Sequence, residues 1–177
     1  MIVFGAQGVL ACIDAATGRR LWERRTHREF DAQEGYFGAG STPLVVASRV
    51  IVNVGGRGDA GIVAFDLERG TTLWQRTAEA ASYSAPVAVD VDGAPHVLMV
   101  ARLSCLLLDA ATGDVRWTFP FGQRGPTVNA ASPVLIGAES ATDRPARRCF
   151  NGKIEAPRSE EHTSELQSPY VISYAVF

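Results

Sequence analysis

The chain has 177 residues, of which 46% are hydrophobic and 20% charged, enough to bury a core of its own. Its net charge of −2 provides no basic field to gather phosphates, so nucleic acid is excluded as a default partner. No run of eighteen apolar residues offers a transmembrane span, and the start lacks a basic, apolar secretion leader. Three widely spaced cysteines, Cys12, Cys105 and Cys149, include no C-x-x-C pair and form neither a disulfide framework nor a metal knuckle. Cys12 and Cys105 read as small core hydrophobes.

In chain order, Met1 to Ala6 reads as a strand, the second of a four-stranded unit whose first strand is absent. A hairpin over 8–24 follows, with Asp14 and Gly18 framing its turn and Trp22 on its outer strand. Two β-branched runs come next, Ser41 to Val46 and Arg49 to Val54, joined by a short polar turn. A second hairpin over 61–76 carries Asp66, Gly70 and Trp74. The paired runs return at Ser84 to Val89 and His96 to Val100, across Asp90-Val91-Asp92-Gly93, whose Asp-Gly step suits a tight turn. The proline leading each first run, Pro43 or Pro86, is tolerated on a strand with one unpaired edge. A third hairpin over 103–119 carries Asp109, Gly113 and Trp117, and Ser132-Pro133-Val134-Leu135-Ile136 opens a further unit. The β pattern fails after Gly137.

The repeat is the main signal. In all three copies Asp precedes Gly by four residues and Gly precedes Trp by four, and the chain has no other tryptophan. Successive tryptophans lie 52 and 43 residues apart, the spacing of four-stranded propeller blades. The Asp carboxylate can accept N–H groups two and three residues on, and Gly supplies positive φ without steric cost. Each indole, burying on the order of 200 Å², suits a wedge between neighbouring blades. Asp14, Gly18, Trp22, Asp66, Gly70, Trp74, Asp109, Gly113 and Trp117 are therefore expected to be structural anchors of the repeat. The fold expected is all-β, a partial β-propeller of about three four-stranded antiparallel blades, over residues 1–137.

This unit, an apolar strand ending in Asp14, then Ala15-Ala16-Thr17-Gly18 through Trp22, resembles the repeat of the quinoprotein-like (PQQ-binding-like) β-propellers. That family includes pyrroloquinoline-quinone alcohol dehydrogenases and BamB, the propeller lipoprotein of the bacterial outer-membrane assembly machine. Gly35-Tyr36-Phe37-Gly38-Ala39-Gly40-Ser41 and Gly125 to Ala131 look like the same family. The resemblance implies seven or eight blades in a whole propeller, so this chain is expected to be a fragment with two open faces and marginal stability. It further implies a non-catalytic scaffold in the periplasm or cell envelope, binding protein partners through loops on a propeller face. The alternative is a quinone-dependent dehydrogenase, with pyrroloquinoline quinone and calcium bound in the parent by residues outside this piece.

No residue here is assigned a catalytic, cofactor-binding or metal role. Adjacent cysteines are absent, and Asp90, Asp92 and Gly93 read as a hairpin turn rather than a calcium loop lacking its other oxygens. Gly55-Gly56-Arg57-Gly58-Asp59 leads into a strand, whereas a phosphate cradle needs a helix start, and its Arg-Gly-Asp triplet is a chance match. His27, His96 and His162 have no metal-ligand spacing. Residues 138–157 read as an irregular or frame-shifted segment. Arg158 to Ser168 matches the translation of a common sequencing adapter, so 158–177 is expected to be a non-native tail.

Overall fold

The computed structural model describes residues 1–33, 38–125 and 128–134. The segments assigned from sequence to 138–157 and 158–177 lie outside the described residues, as do Cys149, His162 and Leu135-Ile136.

The described chain is nearly all β. Sheet 1 holds β1 (Ile2–Phe4), β2 (Val9–Ile13) and β3 (Arg20–Arg25) in the order β1-β2-β3. Sheet 2 holds β4 (Leu44–Val46), β5 (Arg49–Asn53), β6 (Ile62–Asp66) and β7 (Thr72–Arg76), and sheet 3 holds β8 (Val87–Val91), β9 (Ala94–Val100), β10 (Ser104–Asp109) and β11 (Val115–Pro120). Each sheet is an antiparallel meander with its strands in chain order. Pro43 and Pro86 stand just before β4 and β8, both edge strands, where a missing N–H costs no ladder bond. One short helix, α1 (Thr26–Glu29), was not anticipated from sequence; Thr26 Oγ1 donates to the Gly8 carbonyl and Glu29 accepts the Arg25 N–H, holding a single turn.

The three hairpins share a register irregularity at one place, between Cys12 and Ile13, Ala64 and Phe65, and Leu107 and Leu108. Just before each bulge stands the residue opposite the tryptophan: Cys12 faces Trp22, Ala64 faces Trp74 and Leu107 faces Trp117. A bulge adds local twist and re-aims the side chains beside it.

Period-two alternation sends the two faces of sheet 2 to different neighbours. Val50, Val52, Val63 and Phe65 join Leu10 of sheet 1, with Ile2, Phe4 and Trp22 packed against them. Ile51, Ile62, Ala64 and Trp74 join Val97, Met99 and Leu108 of sheet 3. Sheet 2 is thus the filling between two layers, each fully buried side chain contributing about 1.5–3 kcal/mol. The far face of sheet 3 carries a third cluster, with Leu98, Val100, Cys105 and Leu107 beside Phe119 and Phe121.

The Asp92-Gly93 step has φ of 55° and 80°, positive at both central residues, which is the type I′ hairpin its sequence suggests. Ala47-Ser48 turns the same way at 47° and 60° with neither Gly nor Asn to ease it.

Candidate functional site

Two constructions could carry function, the junctions between sheets and the loops at one end of them. The hairpin turns build the first. Asp14 Oδ1 accepts the N–H groups of Ala16 and Thr17, Asp66 Oδ1 those of Glu68 and Arg69, and Asp109 Oδ1 those of Ala111 and Thr112, at 2.7–3.2 Å. The backbone N–H four residues on, Gly18, Gly70 or Gly113, donates to the Asp carbonyl. In the first and third turns these bonds favour the ionised carboxylate: the backbone N–H of Ala16 chiefly lowers the pKa of Asp14, and that of Thr112 chiefly lowers that of Asp109.

The second and third turns each receive an indole from the preceding sheet. Trp22 Nε1 donates to the Leu67 carbonyl at 3.0 Å, and Trp74 Nε1 to the Ala110 carbonyl at 3.3 Å, in each case the residue after the turn's Asp. The glycine does two jobs here. Its φ is positive, 68° at Gly70 and 75° at Gly113, and a Cβ on either would stand 2.6 Å from Cδ2 of the incoming indole. Gly18 has the same conformation, φ 71°, with nothing within 4 Å of its Cβ direction. Trp117 lies on sheet 3, stacked on Phe119 with ring centroids 5.7 Å apart, and is 39% exposed where Trp74 is 7% exposed.

Sequence reasoning missed a second clamp. Arg24, two residues after Trp22, donates to the Gly70 carbonyl at 2.5 Å and to Thr72 Oγ1, pairs with Glu29 and lies 5.1 Å from the Phe65 ring centroid. Burial raises the pKa of Glu29, but the Arg24 guanidinium and the Arg25 N–H outweigh it and leave the carboxyl below its usual range. Arg76, two residues after Trp74, reaches Asp114 at 3.4 Å on an exposed surface. The available signal was an Arg at a fixed offset from Trp in two copies; the third copy has Phe119 there.

Antiparallel alternation puts the Asp-Gly turns at one end of the sheets and the loops after β3, β5, β7 and β9 at the other. The loops frame an open cleft of about 630 Å³ whose lining includes Gly55, Gly56, Arg57, Ala80, Tyr83 and Arg102. Arg57 ion-pairs with Asp31 at 2.9 Å, its N–H donates to the Phe30 carbonyl, and Arg102 donates to the Gly125 carbonyl at 2.5 Å. Two non-glycine residues at this end hold positive φ, Asp31 at 48° and Thr77 at 66°. A β-branched residue there is strained, at a cost on the order of 1–3 kcal/mol. Buried Asn53 ties the β5 end to the loop beyond β7 by donating to Gly61 and accepting from Ser82.

A quinone with its metal ion needs several converging oxygen ligands. Among the described residues no three His, Cys, Asp or Glu side chains converge to hold a metal, and Asp31 of the cleft is engaged by Arg57, so these residues do not fit such a group. Asp90 accepts the Gly93 N–H and Asp92 pairs with Arg116, the chemistry of a hairpin turn. His96 is buried with Nδ1 2.9 Å from the Ala94 carbonyl, and the His27 ring covers Gly8. Arg57, Gly58 and Asp59 are exposed at a loop tip that leads to a strand, not a helix. Burial pushes the Cys105 thiol up to about 11, leaving it an unreactive core group.

Sheets stacked through repeated indole wedges define the class, an all-β repeat protein forming part of a β-propeller. A family model described as outer membrane protein assembly factor BamB matches residues 1–149, and the chain belongs to this family of PQQ-like repeats. The crystal structure of BamB from Moraxella catarrhalis superposes with a TM-score of 0.55 at 22% identity, over 76% of this chain and 40% of its own, a likeness of fold. A quinohemoprotein alcohol dehydrogenase from Pseudomonas putida HK5 aligns with a TM-score of 0.47 at 23% identity, over 67% of this chain and 19% of its own. The serine/threonine-protein kinase AfsK of Streptomyces coelicolor is 33% identical over 115 residues, 64% of this chain and 12% of the kinase. The chain therefore spans well under two thirds of these relatives.

Proposed function

We propose that the chain is part of a non-catalytic binding scaffold of the periplasm or cell envelope, engaging protein partners through the loop end of its blades. The observation carrying this reading is the open cleft of about 630 Å³, floored by glycine and alanine backbone and flanked by arginines, at the end where loops from all three sheets meet. Exposed backbone and ion-paired side chains suit the polar, wet contacts of a protein interface. The family's description as an outer-membrane assembly factor agrees with it.

A photo-crosslinking residue placed in the parent protein at Arg57 or Ala80, and for comparison at Thr17 or Glu68 on the turn end, tests the reading. Specific protein adducts are expected from the first pair and not the second. Adducts from the turn end alone, or saturable binding of pyrroloquinoline quinone with calcium by the parent, would overturn it.

A further inference from the structure

The cleft at the loop end differs in charge from the chain that builds it. Its described lining carries two arginines, Arg57 and Arg102, against one carboxylate, Asp31, in a chain of net charge −2. Glu79, between the lining residues Ala78 and Ala80, is turned into the wall, where its carboxylate accepts the Leu103 N–H at 3.3 Å and the Ser104 hydroxyl.

The backbone adds further donors. Gly58, Ala78 and Ala80 are exposed, and among the described residues no hydrogen bond uses their N–H groups, whereas the Ala80 carbonyl already accepts the Arg102 N–H at 3.3 Å. Arg57 meets Asp31 at 2.9 Å with side chains 69% and 73% exposed, a pair that water screens and that an arriving carboxylate can replace at little cost.

These donors are held in place. Thr77 keeps its positive φ while its carbonyl accepts the Gly61 N–H at 2.8 Å, and Asn53 ties Gly61 to Ser82. Asn129 Nδ2 donates to the carbonyls of Ala101, Arg102 and Phe121 at 2.6–3.1 Å. A donor set fixed before binding loses little freedom on binding. Sheet 2 supplies the floor through its loops after β5 and β7, and the loops of both flanking sheets supply the walls.

Resting on the scaffold reading above, we infer that the partner presents an extended, acidic peptide segment to this cleft. Its Asp or Glu carboxylates meet Arg57 and Arg102, and its main-chain carbonyls accept the N–H groups of Ala78 and Ala80. Donors two residues apart suit an extended chain, whose carbonyls on one side recur at the same interval. A guanidinium fork takes a carboxylate through two parallel bonds. Asp31 is then the carboxylate that the partner displaces.

Fluorescence anisotropy of a labelled peptide alternating Glu and Ser, titrated with the parent protein, tests this. Saturable binding that weakens as salt rises is expected, and none by the Lys-Ser counterpart. Arg57→Gln is expected to weaken binding about tenfold, the loss of one charge-assisted contact. Asp31→Asn keeps a residue type that tolerates a φ of 48° and removes the competing carboxylate, so it is expected to tighten binding about threefold. A gain does not arise from misfolding, so this variant decides the matter if Arg57→Gln fails to fold. No binding of the Glu-Ser peptide, equal binding of the Lys-Ser peptide, displacement by inorganic phosphate at matched concentration, or unchanged affinity in Asp31→Asn would overturn the inference. Protein adducts from Ala80 that the Glu-Ser peptide does not compete away would reject the acidic segment alone and leave the scaffold reading standing.

Discussion

The junction between sheets 1 and 2 and that between sheets 2 and 3 use one plan with different materials. At the second, Trp74 is 7% exposed inside a cluster of Ile51, Ile62, Val97, Met99 and Leu108, and the ion pair of its arginine is with exposed Asp114. At the first, Trp22 is only half-buried, and Arg24 adds bonds to Gly70, Thr72 and Glu29. One junction is held by apolar burial and the other by a polar clamp around a less covered ring. The same turn chemistry thus tolerates either, because the indole and glycine fix the geometry and the surroundings only decide how it is held.

The largest expected effect separates the two directly. Trp74→Ala is predicted to destabilise by about 3–5 kcal/mol, the range for a buried aromatic, and Trp22→Ala by clearly less, read from denaturant midpoints. Equal losses would erase the difference between the junctions.

A smaller effect follows from acid. The folded pKa of Glu29 is lowered, so its contribution is present above the unfolded value of 4.5 and is lost as pH falls through the folded value. Acidification below about 4.5 is predicted to weaken the Arg24 clamp, and Glu29→Gln to flatten that part of the stability–pH curve while leaving the Trp74 junction unchanged. Asp14 and Asp109, also lowered, act in the same direction, so the variant's difference curve isolates Glu29. An identical acid limb in both proteins would remove the polar clamp from the account.

Much of the architecture is legible in three short strings, Asp14 to Trp22, Asp66 to Trp74 and Asp109 to Trp117, because turn chemistry is local and each string carries its acceptor, its positive-φ residue and its ring. The paired runs between them are legible as β-branched stretches flanked by Pro43 and Asp92-Gly93. Arg24 was not legible, since its partners Gly70 and Thr72 lie 46 and 48 residues away and only the docking of two sheets brings them together. The cleft was hidden for a similar reason: Arg57, Tyr83 and Arg102 belong to separate loops and share no spacing. Nothing in their own sequence marks Asp31 or Thr77 for positive φ; the surrounding loops impose it.

The central claim is that an indole from one sheet seats against the glycine of the next sheet's turn. A double-mutant cycle on Trp74 and Gly113 tests it most directly. Gly113→Ala in the native background should cost both the positive-φ penalty and the collision with the ring. In the Trp74→Ala background the ring's share should vanish, leaving the positive-φ penalty and the contact of the added Cβ with Arg76 Cγ at 2.9 Å, while Gly18→Ala, whose surroundings are open, reports the φ penalty alone. A strong non-additivity of that sign is the predicted result; strictly additive losses would show that ring and glycine do not meet.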